Sequence, residues 1–308
     1  MPAAIRSAIA LLFLATAASG TDEPTDPPAW PKIAIGYQDS TPAGDWSPAK
    51  AWFISGYALG AKLRTTVDEF IAISDDELTQ QITTYLSRHP SLNAKTTGFV
   101  ILDIEYPEPP SKIAELLDIE SPELGQRRFA AVVQAYKRRI AIVRQALPNA
   151  TLCLYGVGSP AARGKDSPAW RSSVAAQRMA VEQGLLQYIG AVCPVLYSRY
   201  GNDESGYKTN TAAAENAIAA CQDITQGIEA APQIIPLLSF AIYNGNSTDN
   251  RQPASTDGVA AQLQVLSRLG IGQVIFWNAG STLPDSDDAS KAWFASLEVL
   301  QPRSPVAE

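Results

Sequence analysis

The stretch "GFVILDIEYPEPP", residues 98–110, joins a continuous apolar run to two carboxylates and a proline-rich exit. A run with apolar residues at consecutive positions is typical of a parallel strand that is buried on both faces. Side chains two residues apart on a strand share a face, so Asp103 and Glu105 are expected to project together while Leu102 and Ile104 face the other way. The stretch therefore predicts a buried strand that ends in a carboxylate pair.

Six further runs are rich in β-forming residues, and amphipathic helical patterns lie between most of them. The runs are "KIAIGYQ" (32–38), "WFISGYAL" (52–59), "TLCLYGVG" (151–158), "GAVCPVLYS" (190–198), "QIIPLLSFAIY" (233–243) and "QVIFWNAG" (273–280). The helical patterns lie near 76–89, 123–147, 169–187, 209–226 and 255–269. Apolar strands that alternate with helices predict a parallel sheet covered by helices.

The even spacing of these strands, with no linker between halves, favours a closed barrel over an open doubly wound sheet. We therefore predict an α/β fold, a single TIM-like (β/α) barrel of seven to eight parallel strands. No glycine-rich phosphate-binding turn follows any strand, which argues against a nucleotide-binding sheet. The Pro-rich segments 39–51 and 106–122 are predicted to be irregular loops at the barrel mouth.

The N-terminal segment predicts export, and the chain that follows it predicts a single catalytic domain. Residues 1–20 combine Arg6, a short apolar stretch and small residues, as in a cleaved secretory signal peptide. We expect a flexible leader at 21–31, the barrel at 32–300 and a disordered tail at 301–308. The predicted location is secreted, either extracellular or periplasmic. No segment approaches the roughly 20 apolar residues of a membrane-spanning helix.

Charge and residue usage exclude several functional classes. The formal net charge is −7, and no basic run occurs, so nucleic acid and anionic membranes are not expected partners. A single histidine, His89, gives no support for a Ser-His-Asp triad or a multi-histidine zinc site. We predict no metal and no cofactor. Cys153 and Cys193 are expected to be small core residues. A disulfide between Cys193 and Cys221 is possible, but the spacing does not establish it.

The carboxyl ends of barrel strands carry the active site in this fold class. Besides the carboxylate pair, the predicted strand ends carry aromatic and amide side chains, which suit carbohydrate because sugar faces stack on rings. The candidate substrate-binding residues are Tyr37, Tyr155, Tyr197, Tyr243, Trp277 and Asn278. The predicted partner is a polysaccharide or oligosaccharide substrate.

Two carboxylates this close do not both ionise easily, so one is expected to have a raised pKa and to donate a proton. Glu105, nearer the rim, is the better general acid. Asp103 lies deeper in the mouth and is expected to hold or orient the substrate. The alternative is a purely structural pair. Asp103 is badly placed to attack from the opposite face of a sugar, and Asp39 is the remaining candidate for a protein nucleophile. The scarcity of a second carboxylate favours substrate-assisted catalysis, in which the 2-acetamido oxygen of the substrate attacks.

These residues resemble the hyaluronidase family of glycoside hydrolases, family 56, whose fold is a barrel of about seven strands. "ILDIEYPEP" is similar to that family's "IDWEEWRP" segment, "CPVLYSRY" to "YPSIY", and "VIFWNAG" to "VIWG". The resemblance implies that Glu105 is the proton donor and that Asp103 orients the acetamido group. It further implies that Tyr197 contacts that group and that Tyr155 and Trp277 line sugar subsites.

The chain departs from the family where Ile104 replaces the tryptophan between the acids and where three cysteines replace a disulfide framework. The expected function is that of a secreted, hyaluronidase-like endo-β-N-acetylhexosaminidase, which cleaves a β-linked polysaccharide with retention of configuration. The alternatives are a non-catalytic glycan-binding barrel and a retaining glycosidase that uses Asp39 as its nucleophile.

Overall fold

A computed structural model describes residues 30–38, 50–118, 121–159, 164–243, 252–278 and 287–300. Eight strands are present in these ranges. They are β1 (Lys32–Gln38), β2 (Lys50–Ser55), β3 (Phe99–Asp103), β4 (Thr151–Tyr155), β5 (Ala191–Cys193), β6 (Gln233–Ile234), β7 (Leu237–Ser239) and β8 (Gln273–Asn278).

Seven α-helices lie in the same described ranges, and two of them begin with a serine cap followed by proline, at Ser121 and Ser167. They are α1 (Val67–Ala72), α2 (Asp75–Arg88), α3 (Pro122–Ala146), α4 (Pro168–Glu182), α5 (Glu204–Thr225), α6 (Thr256–Arg268) and α7 (Asp287–Val299). Two 3₁₀ helices span Gly56–Leu59 and Pro110–Leu116.

Every strand pair in the sheet is parallel, and the strand order is β6-β5-β4-β3-β2-β1-β8-β7. The two outer strands are consecutive in the chain and are separated by Ile235 and Pro236. Beyond β5, Leu237 donates its N–H to the Pro194 carbonyl at 2.9 Å, and Leu196 donates to Leu237 at 2.8 Å. The ladder therefore runs from β5 through this interrupted strand to β8, and the predicted barrel is confirmed.

Side chains alternate between a barrel interior and an outer layer under the helices. The interior cluster contains inward-facing residues of several strands, namely Ala34, Ala51, Phe53, Ile101, Cys153, Cys193, Leu237, Ile275 and Trp277. Leu102 and Ile104 lie in the outer cluster with residues of α3, as the alternation predicts. The inner cluster fills the barrel below its mouth, so Asp103 lies on a packed floor.

Several predicted boundaries of strands and helices are wrong. The run 52–59 is a strand only to Ser55, because Gly56–Leu59 turns into a 3₁₀ helix. The run 233–243 divides into β6 and β7 at Pro236, which has no N–H for the ladder. The loop 106–122 contains the second 3₁₀ helix, and the patterns did not predict α1 or α7.

Other predictions concern segments at the edge of the described structure. The predicted signal peptide and the predicted tail lie outside the described residues. Trp30, at the end of the predicted leader, is buried against the cluster formed by α5, α6 and β8. Cys153, Cys193 and Cys221 are buried free thiols, so Cys193 and Cys221 are not bridged. In the described part of the chain, no helix has the length and apolarity to cross a membrane.

Arg139 on α3 is a fully buried guanidinium that ties the segment after β2 to the helix layer. Its Nε donates to the Leu59 carbonyl at 2.7 Å, and its two terminal nitrogens donate to Ala135 and Phe70 at 2.8 Å. The guanidinium also lies 3.6 Å from the centre of the Phe70 ring. Burial lowers the pKa of Arg139 to about 9, and the charge of Arg138 adds to the effect.

We expect Arg139→Met to lower the free energy of unfolding by about 3 kcal/mol, because the buried carbonyls of Leu59 and Phe70 lose their donor. Urea unfolding followed by circular dichroism measures the change. The matched control is Arg127→Met on the exposed face of the same helix, which should stay within about 0.5 kcal/mol of wild type. Equal stability of the two variants would contradict a stabilising role for Arg139.

Candidate active site

Asp103 and Glu105 lie at the carboxyl end of β3, where the strand leaves the sheet. Asp103 is the last strand residue and shares the inward face with Ile101 of the barrel interior. Its side chain is partly exposed, whereas Glu105 is exposed at the rim. The pair therefore has a deep member on the barrel floor and a shallow member facing solvent.

The deep carboxyl is the perturbed one. Burial, together with a smaller contribution from the neighbouring charge of Glu105, raises the pKa of Asp103 to about 8. The buried Oδ1 atom of Asp103 accepts no hydrogen bond from any residue that the structure describes. With this raised pKa, Asp103 keeps a proton at neutral pH. The sequence predicts that Glu105 donates the proton, whereas the raised pKa in the structure belongs to Asp103.

Two tyrosines connect the pair to the neighbouring strands. Tyr155 ends β4, and Tyr197 follows β5 in the segment that bonds to β7. The phenols of Tyr155 and Tyr197 interact with each other, and both interact electrostatically with Asp103. Tyr155 also interacts with Glu105. Burial raises the pKa of both phenols well above the ordinary value, so both remain protonated. The two tyrosines therefore flank the carboxylate pair from the side of β4 and β5.

An aromatic wall continues from these tyrosines around the mouth. The rings of Tyr197 and Tyr243 lie 5.0 Å apart, and Tyr155 and Tyr197 pack on the same interior cluster as Trp277. The Trp277 ring contacts Phe53 of β2, with 3.9 Å between ring centres. A wall of rings around protonated and ionised oxygens suits a sugar, whose faces are apolar and whose edges are hydroxyls.

The segment that carries Glu105 is held from the helix layer by Tyr136 on α3. The buried Tyr136 hydroxyl donates to the Glu108 carbonyl at 2.7 Å, and it also lies 3.4 Å from the Ile104 carbonyl. On the other side, a Cβ added to Gly56 would approach the Asp103 carbonyl to 3.0 Å. Glycine at this position therefore permits the turn after β2 to pack against the end of β3.

Of the predicted site residues, the structure brings together Asp103, Glu105, Tyr155, Tyr197, Tyr243 and Trp277. The backbones of Tyr37 and Asn278 pair with each other at the ends of β1 and β8, which is the same rim, and their side chains lie outside the description. Asp39, the alternative nucleophile, also lies outside the described residues.

Sequence reasoning missed the contribution of β2. The apolar run 52–59 predicts one strand that ends at Leu59, and that end carries no polar candidate. The strand ends at Ser55, which is the register partner of Asp103, and Phe53 contacts Trp277. The Gly56 that breaks the run was the available signal for the earlier end.

The described residues contain no group of three or more histidine, cysteine, aspartate or glutamate side chains suited to a metal ion. The titratable groups that the structure brings together at the mouth are two carboxyls and several phenols. Among the titratable groups in contact with Tyr155 and Tyr197, the carboxyls are Asp103 and Glu105.

Solved structures share this fold at low sequence identity. Bee venom hyaluronidase superposes with a TM-score of 0.60 at 10% identity, covering 80% of this chain and 84% of that chain. The same enzyme in complex with a hyaluronic acid tetramer gives a TM-score of 0.52 at 12% identity, covering 74% and 75%. No protein-family model matches the sequence, and no curated protein matches it either.

These likenesses show that the chain has a hyaluronidase-like glycoside hydrolase fold. The resemblance that the sequence motifs indicated is thereby confirmed for the fold. Fold alone does not assign an activity, because function depends on the groups placed at the site.

Proposed function

We propose that the chain is a glycoside hydrolase that cleaves a β-linked polysaccharide containing N-acetylhexosamine. The observation that carries the proposal is the buried Oδ1 of Asp103, which accepts no hydrogen bond from a described residue and belongs to the carboxyl group that interacts with Glu105. An acetamido N–H of a bound sugar would satisfy this acceptor. The half-buried rings of Tyr197 and Tyr243, which pack on each other, supply an aromatic surface for a sugar ring.

In the proposed mechanism, the acetamido carbonyl oxygen attacks the anomeric carbon while Glu105 protonates the leaving glycosidic oxygen. The glycosidic C–O bond breaks, and a cyclic oxazolinium ion forms. Before this step, as the acetamido N–H binds to Asp103, the proton held by Asp103 passes to Glu105, and the negative charge left on Asp103 then stabilises the developing cation. Glu105, now ionised, accepts a proton from water, which opens the ring and retains the anomeric configuration.

The predicted signal peptide at residues 1–20 supports a proposal of secretion, which suits an enzyme that acts on a polymer outside the cell. An exported protein meets glycan polymers directly, so it needs no transport of the substrate.

A reducing-end assay on hyaluronan, chondroitin, chitin oligomers and peptidoglycan tests the proposal. We expect wild type to cut at least one of them, with retention of configuration by NMR, and a thiazoline analogue of the oxazolinium ion to inhibit competitively. Binding of a glycan without any cleavage would instead assign a non-catalytic barrel. Cleavage that the thiazoline does not inhibit would favour a protein nucleophile such as Asp39.

A further inference from the structure

A cleft of about 780 Å³ lies outside the proposed catalytic mouth, between α2 and the chain that follows β2. Tyr57 and Lys62 line one side, and Gln81, Tyr85 and Arg88 line the other. The last three lie three or four residues apart on α2, so they share one face of that helix. The proposed hydrolysis uses none of these residues.

The cleft is cationic on a protein whose formal net charge is −7. Lys62 and Arg88 are exposed, and neither forms an ion pair within the described ranges of the chain. The described lining residues include no carboxylate. The charged side chains of the described lining, Lys62 and Arg88, are both cationic, and the Glu77 carboxylate bound to Gln81 is a nearby opposite charge. A concave surface concentrates the field of its charges, so the side of the cleft that carries Lys62 and Arg88 favours an anionic ligand.

Gln81 gives the cleft an oriented acceptor. Its Nε2 donates to the Glu77 carboxylate at 3.1 Å, which fixes the amide, and its buried Oε1 accepts no hydrogen bond from a described residue. A buried acceptor without a partner costs free energy until a donor occupies the site. Tyr57, 60% exposed, adds a free aromatic face at the upper end.

The cleft begins close to the proposed active site. Ser55 lines its upper end and is the register partner of Asp103 on the adjacent strand. Paired strands lie about 4.8 Å apart, so the two regions are separated by one strand position. One end of the cleft therefore lies next to the strand that carries Asp103.

We propose that this cleft is a second glycan-binding site, specific for a sugar unit that carries a carboxylate. Lys62 and Arg88 bind the carboxylate, Gln81 Oε1 accepts from a sugar hydroxyl, and Tyr57 stacks on the ring face. The proposal goes beyond the proposed hydrolysis and does not depend on it, because the cleft uses different residues.

Oligogalacturonate is the probe, because it carries a carboxylate on every unit and has no acetamido group. Calorimetry with wild type should give saturable binding at ligand concentrations up to about 10 mM, and weaker binding as salt is added. The double variant Lys62→Gln/Arg88→Gln should raise Kd by about tenfold or more. A matched control, Arg127→Gln/Arg268→Gln, removes the same charge outside the lining and should leave Kd within about twofold.

Gln81→Leu separates the built site from general attraction, because it changes no charge and should still weaken binding. The proposal is overturned if wild type does not bind oligogalacturonate, if the control variant loses as much affinity as the cleft variant, or if a chitin oligomer of equal length binds equally well. Glu105→Gln should bind the probe as wild type does. A failure of the proposed hydrolysis and a failure of the proposed binding in the cleft are therefore distinguished by separate measurements.

Discussion

Replacing Glu105 by Gln is expected to lower kcat on an unactivated polysaccharide by about 10³-fold, because the leaving sugar then departs without protonation. The substitution keeps the size and shape of the side chain that interacts with Tyr155 and removes its ability to donate a proton as an acid. KM should change little, since the amide still occupies the rim. Initial rates measured by reducing ends, over a range of substrate concentrations, separate the two parameters.

An aryl glycoside with a good leaving group sharpens this test of Glu105. Such a leaving group needs little protonation, so the loss for Glu105→Gln should shrink markedly on that substrate. Glu115→Gln, an exposed position on the neighbouring 3₁₀ helix, is the matched control and should keep activity within about twofold. A Glu105→Gln enzyme that keeps wild-type rates on the polysaccharide would remove Glu105 from the mechanism.

Asp103→Asn is expected to lower kcat by about 10²-fold or more, because a neutral amide cannot develop the charge that stabilises the oxazolinium ion. The thiazoline inhibitor should lose affinity by a similar factor, since it resembles that ion. Asp118→Asn, at an exposed position, is the control for loss of a carboxyl group. Retention of thiazoline affinity in Asp103→Asn would contradict an orienting role for Asp103.

The pH dependence gives an independent reading of Asp103. Burial and the charge of Glu105 raise the pKa of Asp103 to about 8, so the wild-type rate should fall above this pH as the pair loses its shared proton. Asp103→Asn should shift the pH at which the rate falls on the alkaline side.

The folded state binds this proton more tightly than the unfolded state does, so the raised pKa makes stability fall as pH rises from the ordinary aspartate range toward 8. Urea midpoints measured across that window should be flatter for the variant.

Local pattern predicts those parts of the fold that depend on local physics. The apolar run ending at Asp103, the period of the α3 helix and the serine caps each follow from neighbouring residues. Alternation along β3 also predicts that Asp103 faces inward while Ile104 faces the helices. These features need no knowledge of which strands become neighbours.

Boundaries were harder to predict where the tertiary structure overrides a local pattern. Ser55 and Leu59 both belong to one apolar run, but the turn at Gly56 is fixed by packing against the Asp103 carbonyl and by the contact of Arg139 with Leu59. Likewise Pro236 divides a run that reads as one strand, because its two halves pair with different neighbours.

The sequence by itself determined that strand β3 delivers two carboxylates to one end of a parallel barrel and that aromatic residues end the other strands. Only the tertiary structure decided which carboxyl keeps the proton, because a pKa depends on burial and on groups that come from distant strands. It placed Asp103 on the barrel floor, with its pKa raised, and set Glu105 at the rim beside Tyr155. It also joined Ser55, Tyr57 and α2 into a cleft that no local pattern contains, since its walls come from separate segments of the chain.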